Sequence, residues 1–125
     1  MKEFRVFVAN RPGELARVTE ALAAHAVNIR AIASETRNAA SFLRVVTNDT
    51  QTTEKALRLA GLKFETSEIM TVDLADRPGE LAKVARRLAR AGINVHSIYL
   101  LGSKTGHTEV AMVVDDVGKA TAALK

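Results

Sequence analysis

The strongest constraint on this chain is that it contains one unit twice. Residues Arg11 to Ile32 read RPGELARVTEALAAHAVNIRAI, and Arg77 to Ile98 read RPGELAKVARRLARAGINVHSI. At an offset of 66 residues half of the aligned positions are identical, among them RPGELA, a Val, a Leu-Ala pair, an Asn and a closing Ile. Self-similarity at a fixed period marks one supersecondary unit used more than once. Whatever fold suits one copy must therefore suit both. The boundaries expected from the offset are 1–67 for the first unit and 68–125 for the second.

Each copy reads in the same order. Phe4, Val6 and Val8 alternate along Glu3 to Ala9, a strand period. Arg11-Pro12-Gly13 breaks it, and Leu15, Val18 and Leu22 with Ala16, Ala23 and Ala26 recur at helical spacing to about His25. Val27 to Thr36 reads as a second strand, Arg37-Asn38-Ala39-Ala40 as a turn and Ser41 to Asn48 as a third strand. Thr50 to Ala60 is a short helix closed by Gly61, and a fourth strand begins at Leu62. Phe4, Phe42 and Phe64 suit core positions on these strands. The order β-α-β-β-α-β is the ferredoxin-like split arrangement, an α+β fold with helices on one face of an antiparallel sheet.

At the junction Leu62, Phe64, Met70, Val72 and Leu74 share even parity with no Gly or Pro between them. The last strand of copy one is expected to run into the first strand of copy two, with a bend near Thr66–Glu68 and the halves rigidly joined. Copy two then repeats the pattern: Pro78 to Ala91 helix, Ile93 to Leu101 strand, a Gly102–Gly106 hairpin, Thr108 to Val114 strand and Val117 to Leu124 helix, with Asp115-Asp116 as the turn and cap before it. The counterpart of the fourth strand is missing. A partner chain, a rearranged sheet or a chain cut short all account for that.

Between the first strand and first helix stands Asn10-Arg11-Pro12-Gly13-Glu14-Leu15, and again Asp76-Arg77-Pro78-Gly79-Glu80-Leu81. Proline is tolerated in a first helical turn because its missing N–H would lack an intrahelical partner anyway. Glycine beside it removes the Cβ that keeps other groups from the backbone. The first-turn amides then point outward at the positive end of the helix dipole, where a carboxylate or phosphate is their complement. The plainer reading is a turn and a helix start, with Glu14 and Glu80 favouring the dipole. Asn28 and Asn94 each fall 18 residues after Asn10 and Asp76. If the first two strands are neighbours, this Asn lies near the loop, where its amide both donates and accepts. Turn chemistry at the start of a strand is its other explanation.

These loops, the spacing to Asn and the element order resemble tandem ACT domains, the amino-acid-sensing regulatory modules. Asn10-Arg11-Pro12-Gly13 with Asn28 is similar to the serine-sensing domain of phosphoglycerate dehydrogenases. Asp76 to Ala82 with Gly92-Ile93-Asn94-Val95 is similar to regulatory segments of aspartokinases and acetolactate synthase small subunits. The resemblance implies an effector held between two ACT units by the loop of one and the second strand of the other. That implicates Asn10, Pro12, Gly13, Glu14 and Leu15 with Asn94, and Asp76, Pro78, Gly79, Glu80 and Leu81 with Asn28. Asp76 in place of Asn10 makes the two sites unequal, because a carboxylate there repels a ligand carboxylate and attracts an ammonium. Val8 and Leu74 stand where the serine-type pattern often has a polar His, which favours a more apolar amino acid. The implied partners are a free amino acid, a second copy in a homodimer and, as an alternative, a larger biosynthetic enzyme.

Other chemistries have thinner support. The chain has no cysteine, which excludes a disulfide framework, thiol catalysis and cysteine-ligated zinc. His25, His96 and His107 form no metal-ligand spacing, so no metal and no cofactor are expected. No nucleophile–base motif or Gly-rich phosphate loop suggests an enzyme. With 47% hydrophobic and 26% charged residues, the composition is that of a globular protein, and no apolar run is long enough for a membrane span, so a cytoplasmic protein is expected. A net charge of +4 without a basic block, and few aromatics, leave RNA binding a minor alternative.

Overall fold

The computed structural model describes residues 1–37 and 40–125, so Asn38 and Ala39 of the expected first hairpin turn lie outside the described residues. The chain folds as two compact units, Met1–Ser67 and Glu68–Lys125. Unit 1 runs β1 (Lys2–Ala9), α1 (Glu14–Ala23), β2 (Ile29–Arg37), β3 (Ala40–Thr47), α2 (Thr50–Leu59) and β4 (Lys63–Glu68, which reaches one residue past the unit boundary). Unit 2 runs β5 (Met70–Ala75), α3 (Glu80–Arg90), β6 (Val95–Lys104), β7 (His107–Val114) and α4 (Val117–Ala123). The fold is the expected α+β one, two βαββαβ-like units each with an antiparallel sheet.

Unit 1 has a four-stranded sheet in the order β2-β3-β1-β4. Unpaired backbone groups make a lone strand costly to bury; the β1–β3 ladder, from Glu3↔Val46 to Ala9↔Ala40, pairs the two central strands, and β2 and β4 pair their outer edges. Phe4 and Val6 of β1 and Leu43 and Val45 of β3 face the helices and meet Val18 and Leu22 of α1 and Ala56 and Leu57 of α2 in one core. The rings of Phe4 and Phe64 lie 5.8 Å apart over it. Phe42 does not join them. It stands opposite Phe7 in the β1–β3 register, on the helix-free face, with the two rings 6.3 Å apart. Strand alternation puts position 42 opposite in parity to Leu43 and Val45, which outranks its hydrophobicity.

Unit 2 repeats the plan with three strands, β5-β7-β6. Met70, Val110, Met112, Val84, Leu88 and Ala120 form its core. The expected continuous junction strand is two strands, interrupted at Ile69, with β4 in one sheet and β5 in the other. β6 also runs further than expected. It continues through a bulge between Leu100 and Gly102, leaving only Thr105 and Gly106 as the hairpin turn.

The apolar stripe on α1 is narrower than its spacing predicts. Val18 and Leu22 are fully buried while Leu15 is 56% exposed. Glu14, not Leu15, takes the inward position, at 6% exposure.

The helix ends show how the two copies solve one problem with different residues. α3 closes with the Gly92 N–H donating to Ala89 O (3.0 Å) and the Ile93 N–H to Leu88 O (2.9 Å), Gly92 having φ +72°. In copy one the same two bonds run from Ala26 to Ala23 (3.0 Å) and Val27 to Leu22 (3.0 Å), with Ala26 at φ +56°. This cap requires the left-handed conformation, which costs an L-residue about 1–2 kcal/mol. Ala26→Gly is therefore expected to stabilise unit 1 by about 0.5–1 kcal/mol, and Gly92→Ala to destabilise unit 2 by about 1 kcal/mol. Urea midpoints at constant slope measure both, and equal effects of the same sign would contradict the cap argument.

Candidate functional site

Among the described residues, four helices begin in two ways. Asp49 caps α2, its carboxylate accepting the Thr52 N–H at 3.0 Å, and Asp116 caps α4, accepting the Lys119 N–H at 2.9 Å. The hydrogen bonds from the Thr52 side chain and amide hold the Asp49 carboxyl below the usual carboxylate range. α1 and α3 have instead Gly13 (φ +92°) and Gly79 (φ +88°) at the cap position, with no side-chain cap. A positive φ suits glycine, and a Cβ built there would meet nothing within 4 Å, so conformation rather than space selects it. Pro12 and Pro78 precede this glycine and lie outside the helices, not in their first turns as the sequence suggests. The left-handed glycine turns the chain sharply into the helix and leaves the opening without a carboxylate of its own.

The loop glutamates hold the turn. Glu14 Oε1 accepts from Arg11 Nε at 3.2 Å and from the Ala9 N–H at 3.4 Å, and Arg17 approaches its other oxygen at 3.8 Å. Glu80 Oε1 accepts from Arg77 Nε at 2.7 Å and Lys83 Nζ at 3.2 Å. The Arg77 bond, then the Lys83 bond, hold the Glu80 carboxyl below its ordinary range. Both carboxylates are thus engaged by cations of their own loop and helix. Asn10, Pro12, Gly13 and Leu15, and Asp76, Pro78, Gly79 and Leu81, are exposed around them.

The two asparagines are not beside the loops of their own units. The neighbour expectation fails because β3 lies between β1 and β2, and β7 between β5 and β6. β1 and β2 each pair antiparallel with β3 and so run parallel to one another. The loop follows Ala9, at the end where Ala40 pairs with Arg37, while Asn28 precedes Ile29, at the end where Thr47 is its partner. In unit 2 Asn94 likewise sits at the far end. Its N–H donates to Asp115 Oδ1 (3.2 Å) and its carbonyl accepts the Asp115 N–H (3.2 Å), which is strand-start turn chemistry. The helix carries the chain back to the end where the first strand began, so a spacing of 18 residues brings no proximity.

What flanks the loop of unit 2 is the β6–β7 hairpin, which sequence spacing does not assign to the site. The Asp76 N–H donates to Gly106 O at 2.8 Å. A pocket of about 310 Å³ opens here, with Leu74, Leu81, Leu100 and Val110 as apolar walls, Asp76, Arg77 and Glu80 at the loop side, and Gly102, Ser103 and Thr108 from the hairpin. The pairing of Leu74 with Thr108 brings these residues together. Only the register could have revealed them. A larger cavity of about 530 Å³ lies by the same hairpin, lined by Asp73, His107 and Glu109 among others, with His107 Nδ1 3.8 Å from Asp73 Oδ2. Among the described residues no group of three or more His, Asp or Glu side chains is placed to hold a metal ion, and no helix is long and apolar enough to cross a membrane.

The family model of the ACT domain matches this sequence twice, over residues 2–59 and 69–125. No curated protein gives a significant sequence match. Among solved structures, a Bacteroides thetaiotaomicron protein is similar at a TM-score of 0.89 and 24% identity, over 98% of this chain and 85% of that one. The ligand-free regulatory subunit of aspartate kinase from Thermus thermophilus is similar at a TM-score of 0.73 and 19% identity, over 98% and 87%. That of Thermus flavus is similar at 0.68 and 19%, over 98% and 87%. At these identities the likeness is one of fold.

Proposed function

Because the chain belongs to the ACT domain family and carries two such units in tandem, we propose that it is a non-catalytic regulatory protein that binds a free amino acid at its strand–helix loops. The observation that carries this reading is the contrast between the helix openings: α2 and α4 supply their own capping carboxylate, while α1 and α3 open on a left-handed glycine without one. A ligand carboxylate takes the place of that cap at the amides of Gly13–Leu15 and at those of Gly79 and Leu81, the Glu80 N–H between them donating to Arg77 O at 3.4 Å. Each charge-assisted bond of this kind contributes about 1.5–3 kcal/mol when sheltered. After ordering costs, a dissociation constant of roughly μM to mM follows, about 4–8 kcal/mol. Asn10 orients the ligand's polar groups at the first loop, and Asp76 draws the ammonium at the second. The apolar walls Leu74, Leu81, Leu100 and Val110 favour an aliphatic side chain. Asn28 and Asn94, far from their own loops, serve a loop only as part of a different ACT unit.

The protein forms a homodimer in this reading. A second reading makes it the regulatory subunit of a separate amino-acid biosynthetic enzyme, supported by its likeness in fold to aspartate kinase regulatory subunits. A larger co-purifying protein distinguishes the second. RNA binding has less support: Phe7 and Phe42 share the helix-free face, but Arg5, Arg37 and Arg44 there pair with Glu65, Glu35 and Glu3.

Thermal unfolding against each common amino acid tests the effector. A ligand at about 100 times its dissociation constant adds about 2.7 kcal/mol, several degrees in a chain of this size. One chemical group of amino acids is expected to raise the midpoint, and Gly13→Val or Gly79→Val to abolish the rise at its loop. No shift by any amino acid at millimolar concentration would overturn the proposal.

A further inference from the structure

α3 gathers cations that the sequence shows only as scattered residues. Lys83, Arg86, Arg87 and Arg90 recur at helical spacings of three and four, and all are exposed. Val84 and Leu88 of the same helix face the unit 2 core. Lys83 bonds Glu80 at 3.2 Å, whereas Arg86, Arg87 and Arg90 have no hydrogen bond or ion pair among the described residues. Glu80 is the only acid of this helix. Like charges three or four residues apart oppose a helix, and both Lys83 and Arg90 stand so to Arg86 and Arg87. Copy one has no such face. At the offset of 66 the same places on α1 hold Arg17, Glu20, Ala21 and Ala24. Arg17, Glu20 and Ala24 are exposed with β4 present in their unit, so a strand after the second helix does not cover these positions.

We propose that this face of α3 docks an acidic helical segment of another protein. The inference goes beyond the effector reading and does not depend on it. Lys83 and Arg87 form one row and Arg86 and Arg90 another, the members of each about 6 Å apart along the axis. Carboxylates at i and i+4 of a facing helix have the same rise, so they meet these rows cation by cation. Ala82 and Ala89, four before and three after Arg86, are its neighbours on the helix surface, and Ala85 lies beside them, all three exposed. Such small side chains let a neighbouring helix come close. They give a nucleic acid no ring for base stacking and no polar group to read a base edge.

Fluorescence anisotropy of the protein with labelled helical peptides, at about 0.15 M salt, tests the face. One peptide carries glutamates on one side at i, i+3, i+4 and i+7, and a second carries the same glutamates spread around the helix. The one-sided peptide is expected to bind about tenfold more tightly, and Arg86→Glu, which installs the copy-one residue, to weaken it about tenfold. The same substitution is expected to raise the urea midpoint, because its carboxylate stands three residues from Lys83 and four from Arg90. A lowered midpoint would mean that Arg86 serves the fold, and overturns the proposal. Equal binding of the two peptides, or binding of neither, overturns it as well. Tighter binding of a DNA duplex that Arg86→Glu abolishes assigns the face to nucleic acid instead, and overturns the protein partner.

Discussion

Leu22→Ala is expected to lower the stability of unit 1 by about 2–5 kcal/mol, while Leu15→Ala, seven residues earlier on the same helix, changes it by no more than about 0.5 kcal/mol. Leu22 is fully buried among Val18, Leu57 and the sheet residues Phe4 and Val6, so truncation removes transfer energy and leaves a cavity that β1 and β3, locked by their ladder, cannot collapse to fill. Leu15 is 56% exposed and leaves no cavity. Chemical denaturation of both variants measures the difference. A comparable loss from Leu15→Ala would mean that the Leu15 side of the first turn is buried as the Glu14 side is, and would remove the argument that it is open to a ligand.

Thr53→Ala is expected to cost about 1–3 kcal/mol, and adding Thr47→Val to cost little more. Both threonines are fully buried, with their hydroxyls 2.8 Å apart, and Thr53 also donates to Asp49 O at 2.7 Å. Removing one hydroxyl weakens the satisfaction of the other in a dry site, whereas removing both leaves no orphan. Unit 2 already carries the apolar version: Val114 and Ala120 occupy the equivalent places and are buried without a polar side-chain atom. A double-mutant cycle is expected to give a coupling of about 1 kcal/mol. Strict additivity would mean that the pair is not a unit and that the two copies differ there by drift alone.

Much of the fold is legible in the sequence for a definite reason. The alternation of Phe4, Val6 and Val8, the spacing of Val18 and Leu22, and Gly92 after α3 are local patterns that depend on the periods of strand and helix and on the conformational freedom of one residue. Asp116 as a cap is local in the same sense. The repeat doubles each signal. Phe42 departs from the core expected of it because parity outweighs hydrophobicity on a strand, and Leu15 because spacing alone does not say which side of the first turn faces inward, a place that Glu14 takes.

The candidate site divides along the same line. The two loops are legible because a proline and a glycine before a helix carry backbone consequences within a few residues. The positions of Asn28 and Asn94 do not follow from counting along the chain, because counting does not reveal that β3 and β7, which follow both strands in sequence, come between them in the sheet. The hairpin residues Gly102, Ser103 and Thr108 reach the second loop only through the β5–β7 register, a pairing of segments more than thirty residues apart in sequence.

By itself the sequence determined that the chain is two copies of one βαββα core, that each copy opens its first helix on a proline–glycine turn, and that cysteine chemistry is excluded. Only the tertiary structure decided which side chains meet those openings and which glutamates are occupied by their own arginines. Local geometry follows from residues that are neighbours in the chain, whereas a site is made by strands that find each other across it.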